Sequence, residues 1–526
     1  MIKRRSFLAA TAAASVLARP ALAQGGQKLI FVPQGNLVSL DPVWTTATVT
    51  RNFAFLVYDT LYGLDAKLGV HPQMAEGHSV EDDGLRWTIR LREGLRFHDN
   101  EPVLARDCVA SLARWMKRDS LGQTLAARLD TLEAPDDRTL VFRLKQRFAA
   151  LTFALARSQA CVPVILPARL AVTDAFKQIT EVMGSGPFRF LPGEYVSGNQ
   201  VAFARFDGYR PRAEPADFAS GGKRALVKRV EWRIMPDPAT QANALLAGEV
   251  DWVEQPLPDL LDRLRRNKDL VVDRLDPFGL YPVLRLNHLH SPSANPALRR
   301  AMLAAIDPKE VMQAVMGDDT SAYVAPIGSF LPGTESASDA GMDRLGGKKP
   351  LAELRAMVAA SGAGGERFVL MHPTDHPFYD AMTQVVAARL KEIGINVEEQ
   401  AMDFGTVVQR RSSREPLDKG GWSGFIAAFP AADHLDPLVA IGLRGHGAQA
   451  WFGWPTSPET EAARDAWMES SDPAERHKLA RVIQEAAFTN VPYVPLGLYR
   501  QSTAWRRSLS GLLKGPAPVF WNVAKS

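Results

Sequence analysis

A chain of 526 residues, 46% hydrophobic and 23% charged, has the composition of a globular protein of about two to four domains, which excludes a disordered, collagen-like or low-complexity molecule. Its formal charge of +4 resides in the first 23 residues, where Lys3, Arg4, Arg5 and Arg19 stand without an acidic residue. Subtracting those four leaves a neutral remainder, so neither nucleic acid nor an anionic membrane surface is an expected partner.

Residues 1–23 read as an export signal: basic residues, an apolar run over 7–18 and a small-residue site, Ala21-Leu22-Ala23, with Gln24 next. Arg4 and Arg5 before Ser6-Phe7-Leu8 point to the twin-arginine type, a general secretory signal being the alternative. No cysteine follows to carry a lipid, and no later apolar run approaches the roughly 20 residues of a membrane span. A soluble periplasmic protein, cleaved after Ala23, is expected. A buried strand is predicted over 29–32, then a loop ending Leu40-Asp41-Pro42. Leu85, Trp87, Ile89 and Leu91 alternate with Arg86, Thr88 and Arg90, the period of an antiparallel strand with one buried face. After a turn at Asp99-Asn100, Cys108, Val109, Leu112, Trp115 and Met116 recur at helical spacing. A second strand covers 139–144, with its turn at Asp136-Asp137. Cys108 and Cys161 both lie among apolar residues and are expected as separate buried thiols.

Beyond Gly184-Ser185-Gly186-Pro187-Phe188, a hairpin turns at Ser197-Gly198-Asn199. A strand over 230–234, a helix over 239–246 closed by Gly248 and a strand over 251–253 predict a right-handed crossover and a parallel pair. A further segment opens near Phe278 with a strand ending Leu284-Arg285-Leu286-Asn287 and a helix over 295–305. Asp307-Pro308-Lys309-Glu310 and Asp472-Pro473-Ala474-Glu475 each open a helix with Asp as N-cap and Pro at N1. Between them run a strand over 368–371, a helical stripe of Met382, Val385, Val386, Leu390 and Ile393 stopped by Gly394, and a strand from Ile395. A last strand, PYVPLGL, covers 492–498.

Taken in order, these segments resemble the extracellular solute-binding proteins of family 5, the oligopeptide- and dipeptide-binding components of ABC importers. The stretch 61–115 is similar to the family pattern P-x-L-A-E-x-W, D-D-G, T-F-x-L-R, F-H-D-G, A-x-D-V-x-x-S, with Asn100 replacing the last turn glycine. Leu40-Asp41-Pro42, the G-T-G-P-[YF] match at 184–188, GEVDWV at 248–253 and PYVPLGL extend the likeness over nearly the whole chain after residue 23. The resemblance implies an α/β fold of periplasmic-binding-protein type II, in its large three-domain form with two lobes around a ligand cleft. Lobe I would comprise 24–47, 184–277 and 490–526, an extra domain 48–183, and lobe III 278–489. It also implies a monomer that closes on a peptide or peptide-like solute and delivers it to a membrane-embedded permease, with no cofactor and no catalysis. A nickel or other metal chelate is the alternative cargo, because some members of the family bind one.

The motifs of common enzymes are missing: there is no H-E-x-x-H, G-x-S-x-G or P-loop. Gly445 to Ala450 satisfies G-x-G-x-x-A in letters alone, since Trp451 to Pro455 follows where a helix should start. His288 with His290, and His372 with His376, are the metal candidates, without a nearby cysteine or carboxylate cluster. By resemblance to the family segment G-W-x-x-D-x-x-D-P, Trp422 and Asp433 are the ligand-binding candidates, with Asp433 meeting the ligand's α-ammonium group. The gap between them exceeds the family's. Arg410, Arg411 or Arg414 would meet a ligand carboxylate, with Arg410 the chosen candidate. Trp44, Trp451 and Trp454 are candidate pocket walls, and Ser185 and Gly186, at the crossover into the first lobe, are further ligand-binding candidates.

Overall fold

The computed structural model describes residues 28–159, 161–470 and 472–526. The export signal, its cleavage site and residues 24–27 lie outside the described residues. Among the described residues, no helix is long and apolar enough to cross a membrane.

Three larger sheets organise the chain. Lys28–Val32 is the parallel centre of a seven-stranded sheet, flanked by Arg229–Arg233 on one side and Trp252–Val253 on the other. The predicted crossover through the Pro238–Ala247 helix, ended by Gly248 at φ 79°, is present. Its two strands are parallel but not adjacent, because the N-terminal strand lies between them. The second seven-stranded sheet is built on Leu280–Leu286, Gly424–Pro430, Phe368–Pro373 and Val397–Met402. Ala75–Glu81, Arg86–Leu91, Thr139–Leu144 and Leu129–Glu133 form an antiparallel four-stranded sheet.

In that third sheet Trp87, Ile89 and Leu91 are buried, and the Ala105–Trp115 helix covers it with Cys108, Leu112 and Trp115. Asn100 takes φ 72°, so it adopts the left-handed turn geometry that a glycine would supply. Cys108 and Cys161 are free and buried, and burial pushes both thiols up. Asp41, from the Leu40-Asp41-Pro42 loop, forms a fully buried bidentate pair with Arg114 (3.1 and 2.7 Å), tying that loop to the Ala105–Trp115 helix. One apolar core runs without a break from the first sheet under the four-stranded sheet, so these parts pack as a continuous body.

One boundary needs correction. Tyr493–Pro495 and Leu498–Tyr499, expected to return the chain to the first lobe, hydrogen-bond to Leu280–Leu286 in the second sheet. The return comes at Thr503–Arg506, which pairs with Trp252–Val253 and Leu270–Asp273. An apolar run such as PYVPLGL is buried in either lobe, so hydrophobicity cannot choose between them.

Candidate functional site

A cavity with an empty volume of about 640 Å³ lies between the first and second sheets. The start of the Thr48–Val57 helix contributes Thr46, Thr48 and Arg51 on one side. The Phe404–Arg410 helix, the Gly424–Pro430 strand and the turn at Ala431–His434 carry the other side, with Tyr379, Arg411, Phe429, Asp433 and Trp451 on its wall. Arg411 Nη2 and Trp451 Nε1 both donate across the cleft to Thr46 Oγ1, at 3.1 and 3.2 Å. The two sides are therefore hydrogen-bonded to each other, which is a closed arrangement.

The electrostatics are unusual for so buried a place. Arg157 Nη2 stands 3.3 Å from Asp433 Oδ1, and its Nε stands 3.2 Å from Asp119 Oδ2, all three residues being buried. Asp119 is at the same time the N-cap of the Ser120–Arg128 helix, accepting from the backbone of Leu121 and Gly122. Two carboxylates thus share one guanidinium, so that with both ionised one negative charge lacks a paired cation. Burial, with Asp119 adding to it against the opposing effect of Arg157 and Arg51, pushes the Asp433 carboxyl up to about 7.

Positive groups face the same cavity. Arg411 is buried and hydrogen-bonded only to the hydroxyls of Thr45 and Thr46, with its Nε unpartnered among the described residues. Its guanidinium lies 4.8 Å from the Phe452 ring and 5.6 Å from Trp451, and burial lowers its pKa to about 10. Arg51 places Nε and Nη2 on Asn52 Oδ1, which leaves Nη1 without a partner among the described residues. Asn52 in turn donates to Glu254 (2.9 Å).

Of the residues anticipated from sequence, the structure brings Asp433 and Trp451 to the cavity wall. Arg410 instead donates to the carbonyls of Gly420 and Gly421; its neighbour Arg411 turns inward, because consecutive helical residues point about 100° apart. Trp422 is fully buried against Phe425 and Trp454, ahead of the Gly424–Pro430 strand and away from the cavity wall. Spacing G-W-x-x-D back from Asp433 lands on Pro430, and the aromatic wall comes from Phe429 packed on Trp451 at 4.9 Å. Trp44 is half-buried outside the cavity wall, its carbonyl accepting from Arg118.

Ser185 and Gly186 do not line the cavity either. Gly186 N donates to Val57 O at 2.9 Å, and a Cβ on Gly186 would lie 2.7 Å from the Val57 carbonyl carbon. These residues hold the far end of the helix whose near end carries Arg51. Gly186→Ala is expected to lower stability by about 1–3 kcal/mol through this backbone clash, leaving the order of ligand preference unchanged. Denaturant melts, with and without ligand, check both halves of that expectation.

Arg51, Arg157 and Asp119 were not anticipated. A signal existed for Arg51, the one charge in TVTRNFAFLV, a helix buried on nearly every side. The metal candidates are dispersed: His290 bonds Arg414 O, whereas His372 lies between Asp380 and Glu399. Among the described residues, no group of three or more His, Cys, Asp or Glu is arranged to hold a metal ion.

Comparison with known proteins adds to this geometry. The model of the bacterial extracellular solute-binding proteins, family 5, middle region, matches residues 69–438. A probable peptide ABC transporter periplasmic-binding protein of Sinorhizobium fredii is 36% identical, covering 100% of this chain and 99% of its own. A glutathione-binding protein of Pectobacterium atrosepticum is 25% identical over 99% of this chain and 97% of its own. Among solved structures, a Pseudoalteromonas dipeptide-binding protein in complex with Met-Leu superposes with a TM-score of 0.79 at 18% identity, over 95% of this chain and 100% of its own. An agropinic acid complex from Agrobacterium tumefaciens, at 20% identity, reaches the same score over 95% and 99%.

Proposed function

The chain belongs to the bacterial extracellular solute-binding proteins of family 5, and on that premise we propose that it is the exported substrate-binding component of an ABC importer for peptides or peptide-like solutes. The ligand occupies the interlobe cavity, the lobes close over it by hinge motion, and the closed form is what a membrane permease receives. Binding and release suffice; no covalent step is involved.

One observation carries the peptide reading. The buried group Asp119–Arg157–Asp433 holds two carboxylates and one guanidinium, and it opens onto the cavity through Asp433. A ligand α-ammonium supplies the missing positive charge as a charge-assisted hydrogen bond. The ligand carboxylate falls to Arg411, a buried cation with a free N–H and no acidic partner among the described residues. The Sinorhizobium relative, named for peptide transport, supports the same cargo. The proposal includes a twin-arginine signal cleaved after Ala23 and a monomeric product. It divides the mature chain into an inserted domain over 48–183, a lobe around the first sheet and a lobe around the second, with the final crossing just before Thr503.

The test is calorimetry on the exported protein with one peptide in free, N-acetylated and C-amidated forms, alongside mass spectrometry of any ligand that co-purifies. The free peptide is expected to bind, and each blocked form at least about tenfold more weakly. A single non-peptide species co-purifying, with no heat from any peptide, overturns the peptide reading.

A further inference from the structure

The cleft does not end with the first cavity. A second, with an empty volume of about 610 Å³, shares Thr48 and Arg51 with the first, and a third, of about 890 Å³, shares Gln34 and Gln255 with the second. The three are chambers in series, and the third again has both sides of the cleft in its wall: Gln34, Asn36 and Gln241 on one, Asp375, His376 and Asp403 on the other.

The ring nitrogens of His376 serve nothing within the described fold. It is 4% exposed, and neither ring nitrogen has a hydrogen-bond partner among the described residues. Its ring packs on Tyr379 (4.5 Å) and Phe404 (5.3 Å), the residues whose other side lines the first chamber. Leaving two buried polar atoms unsatisfied is costly, and a group placed there from outside removes the cost. Burial depresses the imidazole to about 4, so at neutral pH it offers one donor and one acceptor.

The neighbours restrict what can satisfy it. Asp375 accepts from the Phe404 backbone N–H, and Asp403 takes both the backbone and the hydroxyl of Thr406, so both carboxylates are held by the start of the Phe404–Arg410 helix. Their charges repel an anion and attract a cation, but a cation bound there leaves the imidazole N–H without an acceptor. An ammonium offers donors only and a carboxylate acceptors only, while a carboxamide or hydroxyl offers both. We infer that the third chamber is a side-chain subsite for an uncharged polar group, a carboxamide or hydroxyl, and that His376 is its specificity-determining contact. This rests on the peptide reading of the first chamber and extends it to an elongated ligand.

Tripeptides carrying Gln, Glu or Leu at each position in turn test the inference by calorimetry. At one position the parent protein should bind Gln about tenfold more tightly than Leu, and Glu no better than Leu. His376→Phe keeps the aromatic packing and should bring the Gln preference to near unity or below it, by weakening the Gln peptide. It should not lower the melting temperature of the free protein. Asp375→Asn, which retains an acceptor for Phe404, should improve binding of the Glu peptide alone. A parent without a Gln preference at any position, or a preference that survives His376→Phe, overturns the subsite and leaves the peptide reading standing. If no tripeptide of any composition binds, the peptide reading fails and the subsite with it.

Discussion

Replacing Asp433 by asparagine is expected to weaken binding of free-amine peptides by on the order of a hundredfold or more, while N-acetylated peptides lose far less. The carboxylate is buried in the cavity wall, and Arg157, its one ion-pair partner among the described residues, is shared with Asp119. A ligand ammonium at Asp433 is therefore the completing charge, and the amide has none to offer. The free protein should be no less stable for the change, because Asp119 and Arg157 are then left one to one. Equal affinity of parent and variant for a free-amine peptide would remove Asp433 from the site.

The same residue sets a pH dependence whose sign follows from its shift. A carboxyl raised to about 7 is disfavoured as an anion in the folded, ligand-free protein, so its contribution to stability is present below its ordinary range and is lost as pH rises through about 7. A bound ammonium acts in the opposite direction by favouring the anion. Binding near neutrality should release a proton, and affinity should fall by up to about tenfold per unit as pH drops below 7. Calorimetry in two buffers of different ionisation enthalpy measures that proton. Asp433→Asn should abolish its share, and Glu254 and Asp276, raised by burial to about 7 and about 6 in the wall of the second chamber, contribute to any remainder.

Arg157→Met has the second large effect, this time on folding. Removing the guanidinium strands Asp119 and Asp433 together in a buried space, and the expected loss is about 3–5 kcal/mol in denaturant unfolding. The Asp433→Asn background should restore part of it, since only one carboxylate is then left unpaired; no recovery in that double-mutant cycle would mean that the three groups do not act as a unit. Arg157 also matters for closure. It anchors Asp119 at the head of the Ser120–Arg128 helix, and that helix bonds the opposite lobe. Arg444 Nη1 donates to Ser120 O (3.1 Å), Arg464 Nη2 to Thr124 Oγ1 (3.1 Å), and His446 Nε2 lies 3.1 Å from Gln123 Oε1. The Ser120–Arg128 helix thus takes a direct part in holding the cleft shut.

Local patterns were legible where the physics is local. Alternation over 85–91, the helical stripe after Asp99-Asn100, the aspartate caps at Asp307 and Asp472, and the helix ended by Gly248 each depend on a few consecutive residues, and each is present. The site was read less well. Asp433 is within reach of the family pattern and Trp451 of the general preference of ligand sites for aromatic walls, but Trp422 matches by its letter rather than its spacing. Nothing in a run of polar residues tells which side of a helix end faces the cleft, so Arg410 and Arg411 are not distinguished. Arg157 in ALARSQACV had no signal at all, because its partners lie 38 and 276 residues away.

By itself, then, the sequence determined the elements, their caps and turns, the family pattern and the neutral charge of the chain beyond its first 23 residues, since these depend on residue type and short spacing. Tertiary structure alone decided that Lys28–Val32 inserts between two later strands, that PYVPLGL stays with the second sheet, and that Arg51, Arg411, Asp433 and His376 face chambers of one cleft. Those outcomes turn on which buried surfaces meet and which polar atoms are left without partners. Both are properties of residues far apart in the chain, and no local period encodes them.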